Sequence, residues 1–143
     1  MAVGLQRLVR RALLPRLKAD IALVALVPAA SINPAGVPTW PFIVLRNPVT
    51  RRLKAACVNG GQGSWDIHAF AGPRLSGGAV VETAEDHAGR IGAAIETALA
   101  DNWLALPDGA KVRVQIGDIQ LLQDGDPDHY HWFAQINWRA LAA

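Results

Sequence analysis

The stretch KVRVQIGDIQLLQDGDPDHYHWFAQINWR, residues 111–139, decides the fold. Its first limb alternates Val112, Val114 and Ile116 with Arg113, Gln115 and Gly117. Its second limb alternates Tyr130, Trp132, Ala134, Ile136 and Trp138 with His131, Phe133, Gln135, Asn137 and Arg139. Successive side chains of a strand point to opposite faces, so this period of two predicts two strands, each apolar on one side. Between them, Gln123-Asp124-Gly125-Asp126-Pro127-Asp128 is a run of turn formers, and the two strands are expected to pair as a long antiparallel ribbon. On the outgoing limb the apolar phase slips to Ile119 and Leu121. One extra residue in a bulge at Gly117-Asp118 restores the face.

Working outward, 143 residues suit one domain, 1–143. A chain of this size buries roughly 68–70% of the surface its unfolded form exposes, so it needs no covalent staple. Cys57 is the only cysteine, which excludes an intramolecular disulfide and a thiolate zinc cage. The net charge of +2 is unevenly spread: residues 1–60 carry nine Lys or Arg against Asp20 alone, and residues 61–143 carry five against eleven acids. That asymmetry predicts a basic and an acidic surface, which in a self-assembling protein would meet head to tail. Uneven sprinkling without function is the alternative.

Near the N-terminus, basic Arg7 to Lys18 precedes apolar Ile21 to Val27, in the manner of a signal peptide. The apolar run is short, Asp20 interrupts its approach and Pro28-Ala29-Ala30 is a poor cleavage site. A bilayer needs about 20 apolar residues, more than this run offers, so no membrane partner is expected. Leu5, Leu8, Val9, Ala12 and Leu13 follow helical spacing, with Pro15 expected to break or kink the helix and Leu17, Ile21 and Val24 to continue its apolar face. A proline-rich loop follows, in which Ile32 makes a short edge pairing. Phe42-Ile43-Val44-Leu45 reads as a buried strand stopped by Asn47-Pro48. Val49 to Gly63 reads as a basic loop or hairpin tip with mobile glycines. Trp65, Ile67 and Ala69 then alternate with Asp66, His68 and Phe70. Gly77-Gly78 precedes a second helix, capped by Thr83, with Glu85 and Asp86 in its first turn and Ala84, Ala88, Ile91, Ala94, Ile95 and Leu99 as its stripe. Gly89, Gly92 and Ala93 keep that helix thin enough to lie close on a sheet. Trp103, Leu104 and Leu106 pack the connection. The expected fold is α+β: a mainly antiparallel sheet of about four strands with two principal helices packed on one face.

No catalytic constellation stands out, and no cofactor is expected. Asp124, Asp126 and Asp128 open like a calcium loop, but the positions that require Gly and Glu hold His129 and Gln135. His68, His129 and His131 are candidate imidazole ligands for a small metal-dependent enzyme; surface histidines are the alternative. Cys57 has no evident histidine base. Gly60-Gly61-Gln62-Gly63 lacks the Lys and helix start of a phosphate loop. Arg46, Arg51, Arg52 and Lys54, with no acid between them, suit phosphates or an acidic partner. Without interleaved aromatics, any nucleic-acid contact there would be to the backbone and sequence-independent.

The order and spacing of these features resemble the tail-completion, or tail-terminator, proteins of long-tailed phages and phage-like gene transfer agents. The resemblance is carried by Leu17-Lys18-Ala19-Asp20, Leu23 to Val27, Pro41 to Leu45, Trp65 to Phe70, the Ala88–Leu99 helix and the closing strand from His129 to Arg139. It implies a small α+β virion subunit without catalytic activity, assembled in the bacterial cytoplasm and placed at the head-proximal end of the tail. It implies a homo-oligomer, usually a hexameric ring, that caps the tail tube protein, ends its polymerisation and joins the head–tail connector protein. DNA passes through the lumen with transient, non-specific contact. Arg46, Arg51, Arg52 and Lys54 are then expected at the lumen or at the contact with the next ring.

Overall fold

A computed structural model describes residues 4–53, 60–100 and 103–141. In chain order it has helices α1 (Leu5–Ala19) and α2 (Ile21–Leu26), strands β1 (Phe42–Arg52), β2 (Gly60–Ala71), β3 (Arg74–Ser76) and β4 (Ala79–Glu82), helix α3 (Ala84–Ala98), and strands β5 (Trp103–Ala105), β6 (Lys111–Gln123) and β7 (Tyr130–Leu141). The α+β expectation holds, with five strands rather than about four in the main antiparallel sheet, in the order β1-β2-β7-β6-β5; β3 and β4 pair separately.

The ribbon forms as its alternation requires. Val112, Val114, Trp132, Ala134, Ile136 and Trp138 are buried on one face. The bulge is where the phase slip put it: Ile116 pairs with Ile136 and Ile119 with Ala134, so Gly117 and Asp118 oppose Gln135 alone. β7 is the middle strand, paired with β2 along its whole length.

Three helices cover the apolar face. In α1, Leu5, Val9, Leu13 and Leu17 recur every four residues and are buried. The helix lies across the strands: Gln6 donates to Thr50 Oγ1 of β1 at 2.8 Å, and Arg16 donates to the Trp103 carbonyl of β5 at 3.2 Å. About 22 Å of helix suffices to cross a five-strand sheet of about 19 Å. Pro15 does not break it. The carbonyl that Pro15 leaves without a donor belongs to exposed Arg11, so water can satisfy it. The break falls at Asp20, whose extended backbone ends α1 and whose carboxylate caps α2 by accepting from the Leu23 amide at 2.9 Å. That restart resets the helical phase, so Ile21, expected inward, is 85% exposed and Leu23 is buried instead.

α3 lies over β7, β2 and β6. Thr83 caps it, its hydroxyl accepting from the Asp86 amide at 3.2 Å. Gly92 sets its height: a Cβ there would run into the Trp132 indole. Before α3 comes the β3–β4 hairpin, closed by Gly77 and Gly78, both at positive φ.

Of the segment from Val49 to Gly63, expected as a basic loop or hairpin tip, the described residues are mostly strand, in the antiparallel pair β1–β2. Asn47-Pro48 makes a bulge in β1, with Asn47 at φ 52°, and the strand continues to Arg52. Gly61 and Gly63 are strand residues at which neighbours occupy the space of a side chain: Leu5 at Gly61, and Trp138 with the Val49 carbonyl at Gly63. Ile32 makes the expected pairing, a parallel bridge to Ile43.

Candidate functional site

With helices on one side, the chemistry-bearing residues collect on the open face of the sheet. Register places them in rows running across the strands. One end of the face is aromatic. Phe42 stacks on Phe70 with ring centroids 4.7 Å apart, and Trp40 meets both edge-on at 5.3 and 5.8 Å. His68 lies 4.9 Å from Phe133 and 5.4 Å from His131, centroid to centroid. Burial among these rings keeps the His68 pKa below its ordinary value, with repulsion from His131 and Arg46 adding to it. The neutral imidazole is therefore the resting form.

His129, the third candidate ligand, is turned elsewhere. Its Nδ1 pairs with Asp126 Oδ1 at 2.8 Å, and its ring packs edge-on against Trp40 at 4.9 Å. Asp124 approaches His131 Nδ1 only to 4.0 Å, beyond hydrogen bonding. Among the described residues, no group of three His, Cys, Asp or Glu side chains is placed to hold a metal ion. Asp126 serves the turn itself, also accepting from the Asp128 amide at 2.8 Å.

The basic candidates divide. Arg46 is on the open face, its guanidinium 5.9 Å from the centroid of Phe70. Across from it, Asp66 accepts from Asn47 Nδ2 at 2.9 Å. Arg51 shares the open face at the other end of β1, pairing with Gln62. Arg52 pairs with Gly61 on the helical side and lines a groove with Leu5 and Gln6. Lys54, like Cys57, lies outside the described residues.

Pairing of β2 with β7 adds cations that the linear order does not suggest. Register aligns Arg51, Gln62, Arg139, Arg113 and Trp103 in one row across all five strands. Adjoining shallow grooves of about 360, 270 and 260 Å³ run along this row, sharing Gln62, Asn137, Arg113 and Arg139 in their linings. The row thus takes Arg51 from the first half of the chain and Arg113 and Arg139 from the second, while Arg7, Arg10, Arg11, Arg16 and Lys18 belong to α1. Away from this face, Glu82 accepts from Arg74 at 2.7 Å and from Arg90 at 2.8 Å, tying β4 to α3. The Arg90 hydrogen bond, reinforced by Arg74, holds the Glu82 carboxyl down to about 2. His87, unremarked in the sequence although it falls at helical spacing with Ala84 and Ile91, is buried with Nδ1 2.8 Å from the Gly72 carbonyl.

The open face thus carries an aromatic end and a cationic row. Residues 11–141 match the family model described as tail completion protein gp17. The chain belongs to that family. As a tail completion protein it is a structural component of a phage-type tail. A solved chain from the "Virion of native gene transfer agent (GTA) particle" shares its fold at 16% identity, with a TM-score of 0.75, over 97% of this chain and 98% of that one. No curated protein matches this tail completion protein. Among its described residues, no helix is long and apolar enough to cross a membrane.

Proposed function

We propose that this tail completion protein is a tail terminator, a non-catalytic subunit working as a single domain over 1–143. Six copies close into a ring on the head-proximal end of the tail tube. The ring stops tube polymerisation and presents its far surface to the head–tail connector, and DNA passes through its lumen. The particle is a virion, of a phage or of a gene transfer agent. The observation that carries this reading is the family match across residues 11–141. A fold shared end to end with a chain of a gene transfer agent particle supports it. So does the sheet, in which β6 beyond its three-residue pairing with β5 leaves a backbone edge for a neighbour.

Arg46, Arg51, Arg52 and Lys54 are assigned to the lumen or to the contact with the next ring. A protein contact is favoured for them, because phosphate attraction would slow DNA in transit.

The test is deletion of the gene in its particle-producing host, with negative-stain microscopy of the tails and of the purified protein. The reading expects tails of uncontrolled length that do not join heads, and rings of uniform size from the protein. Tails of normal length that join heads would overturn it. Replacing Arg51, Arg52 and Lys54 by Gln then separates the roles of the basic segment. Failed joining supports the inter-ring contact, and normal joining with failed DNA delivery supports the lumen.

A further inference from the structure

The cationic row has a feature that its own chain leaves unbalanced. Arg113 and Arg139 stand directly opposite each other on β6 and β7, both exposed, with Lys111 two residues along on the same face. Like charges facing across strands are destabilising. Among the described residues, no carboxylate pairs with Arg113, Arg139 or Lys111. The acid on this face of β2, Asp66, is two rows away and engaged with Asn47. An arginine pair left in this state fits an external anion.

The other end of the same two strands offers one. The β6–β7 turn carries Asp124, Asp126 and Asp128, all exposed. The turn is held rigid by the Asp124 amide donating to the His129 carbonyl at 2.7 Å and by the internal bonds of Asp126. Asp126 is thereby consumed, while Asp124, 4.0 Å from His131 Nδ1, and Asp128 remain exposed. From Arg113 to Gln123 the strand is about 33 Å long, so one subunit cannot fold its tip back onto its own row.

We infer that the Arg113–Arg139 pair, with Lys111, is the socket for the Asp124/Asp128 hairpin tip of a second copy of this chain. This rests on the ring reading above and supplies its subunit contact. Arginine and carboxylate make forked, charge-assisted hydrogen bonds, and the groove beside the row gives the tip a seat. Socket and tip are different surfaces of one molecule, so the contact is head to tail and closes into a ring when its rotation does.

The test is a charge exchange read by sedimentation of full-length protein, with far-UV circular dichroism to verify folding. Arg113→Glu/Arg139→Glu and Asp124→Lys/Asp128→Lys variants are each expected to lose assembly. Mixed one to one, they should assemble as alternating rings, because each tip then meets a socket of opposite charge. If a reversed variant fails to fold, Arg113→Gln/Arg139→Gln replaces it, with an expected rise of about tenfold or more in the concentration for half-assembly. Arginine variants that assemble like the wild type would overturn the socket while leaving the ring intact, including the case where they lose only binding to a duplex oligonucleotide. A wild-type protein that stays monomeric both alone and on purified tail tubes would overturn the ring itself.

Discussion

At the scale of single residues, two glycines of α3 give opposite expectations. Gly92 faces Trp132, and a Cβ there collides with the indole; Gly89 has open space around it. Gly92→Ala is expected to destabilise by about 1–3 kcal/mol through overpacking. Gly89→Ala is expected to stabilise by about 0.5–1 kcal/mol through helix propensity. Urea unfolding of the two variants checks both signs. Glu82 gives a pH dependence. Its carboxyl is held to about 2 when folded, against an ordinary value of about 4.3. Its stabilisation is therefore complete above about pH 4.3 and lost as pH falls toward 2. The pair's arginines are half-exposed, so the effect is about 1 kcal/mol or less. Acid unfolding should show a smaller loss between those pH values for Glu82→Gln than for the wild type. The helical spacing of the glycines was legible in the sequence. Which of them meets Trp132 was not, because that contact joins residues 40 positions apart.

At the scale of elements, the bulge of β6 is open to a direct trial. Gly117 and Asp118 together oppose Gln135, so removing one residue there leaves Ile119 paired with Ala134 and every face unchanged. A Gly117 deletion is expected to melt within a few degrees of the wild type, while turning the hairpin tip to a new direction and impairing assembly. A Gln115 deletion can use the same bulge, but only by turning Ile116 outward and Gly117 inward, so it is expected to melt well below the Gly117 deletion. Thermal melts of both, followed by sedimentation of the first, check this. The bulge, the Thr83 cap and the stripe of α3 were legible because each is written within one turn or one strand. β5, three residues long, and the β3–β4 hairpin were not, since short strands leave little periodicity. The continuation of β1 through Asn47-Pro48 was missed because that pair is more often a stop than a bulge. The arginine row was invisible for a different reason: it exists only once β7 has been placed between β2 and β6.

At the scale of the whole molecule, charge is arranged along the strands, cations at one end of the open face and the acidic turn at the other. An assembly joined through that arrangement should weaken as salt rises. The Debye length falls from about 8 Å at 0.15 M to about 3 Å at 1 M ionic strength. Sedimentation across this range is expected to show rings giving way to monomers, whereas an apolar interface would hold or tighten. Strand order has a further consequence, for synthesis. β7 is translated after every other described strand, yet it lies at the centre of the sheet. A nascent chain that has emerged only through β6 has two flanks with no strand between them, only helices that touch both. Sheet closure therefore waits until β7 leaves the ribosome. A polypeptide cut short before residue 130 lacks the strand that pairs both flanks, so it is not expected to complete this sheet.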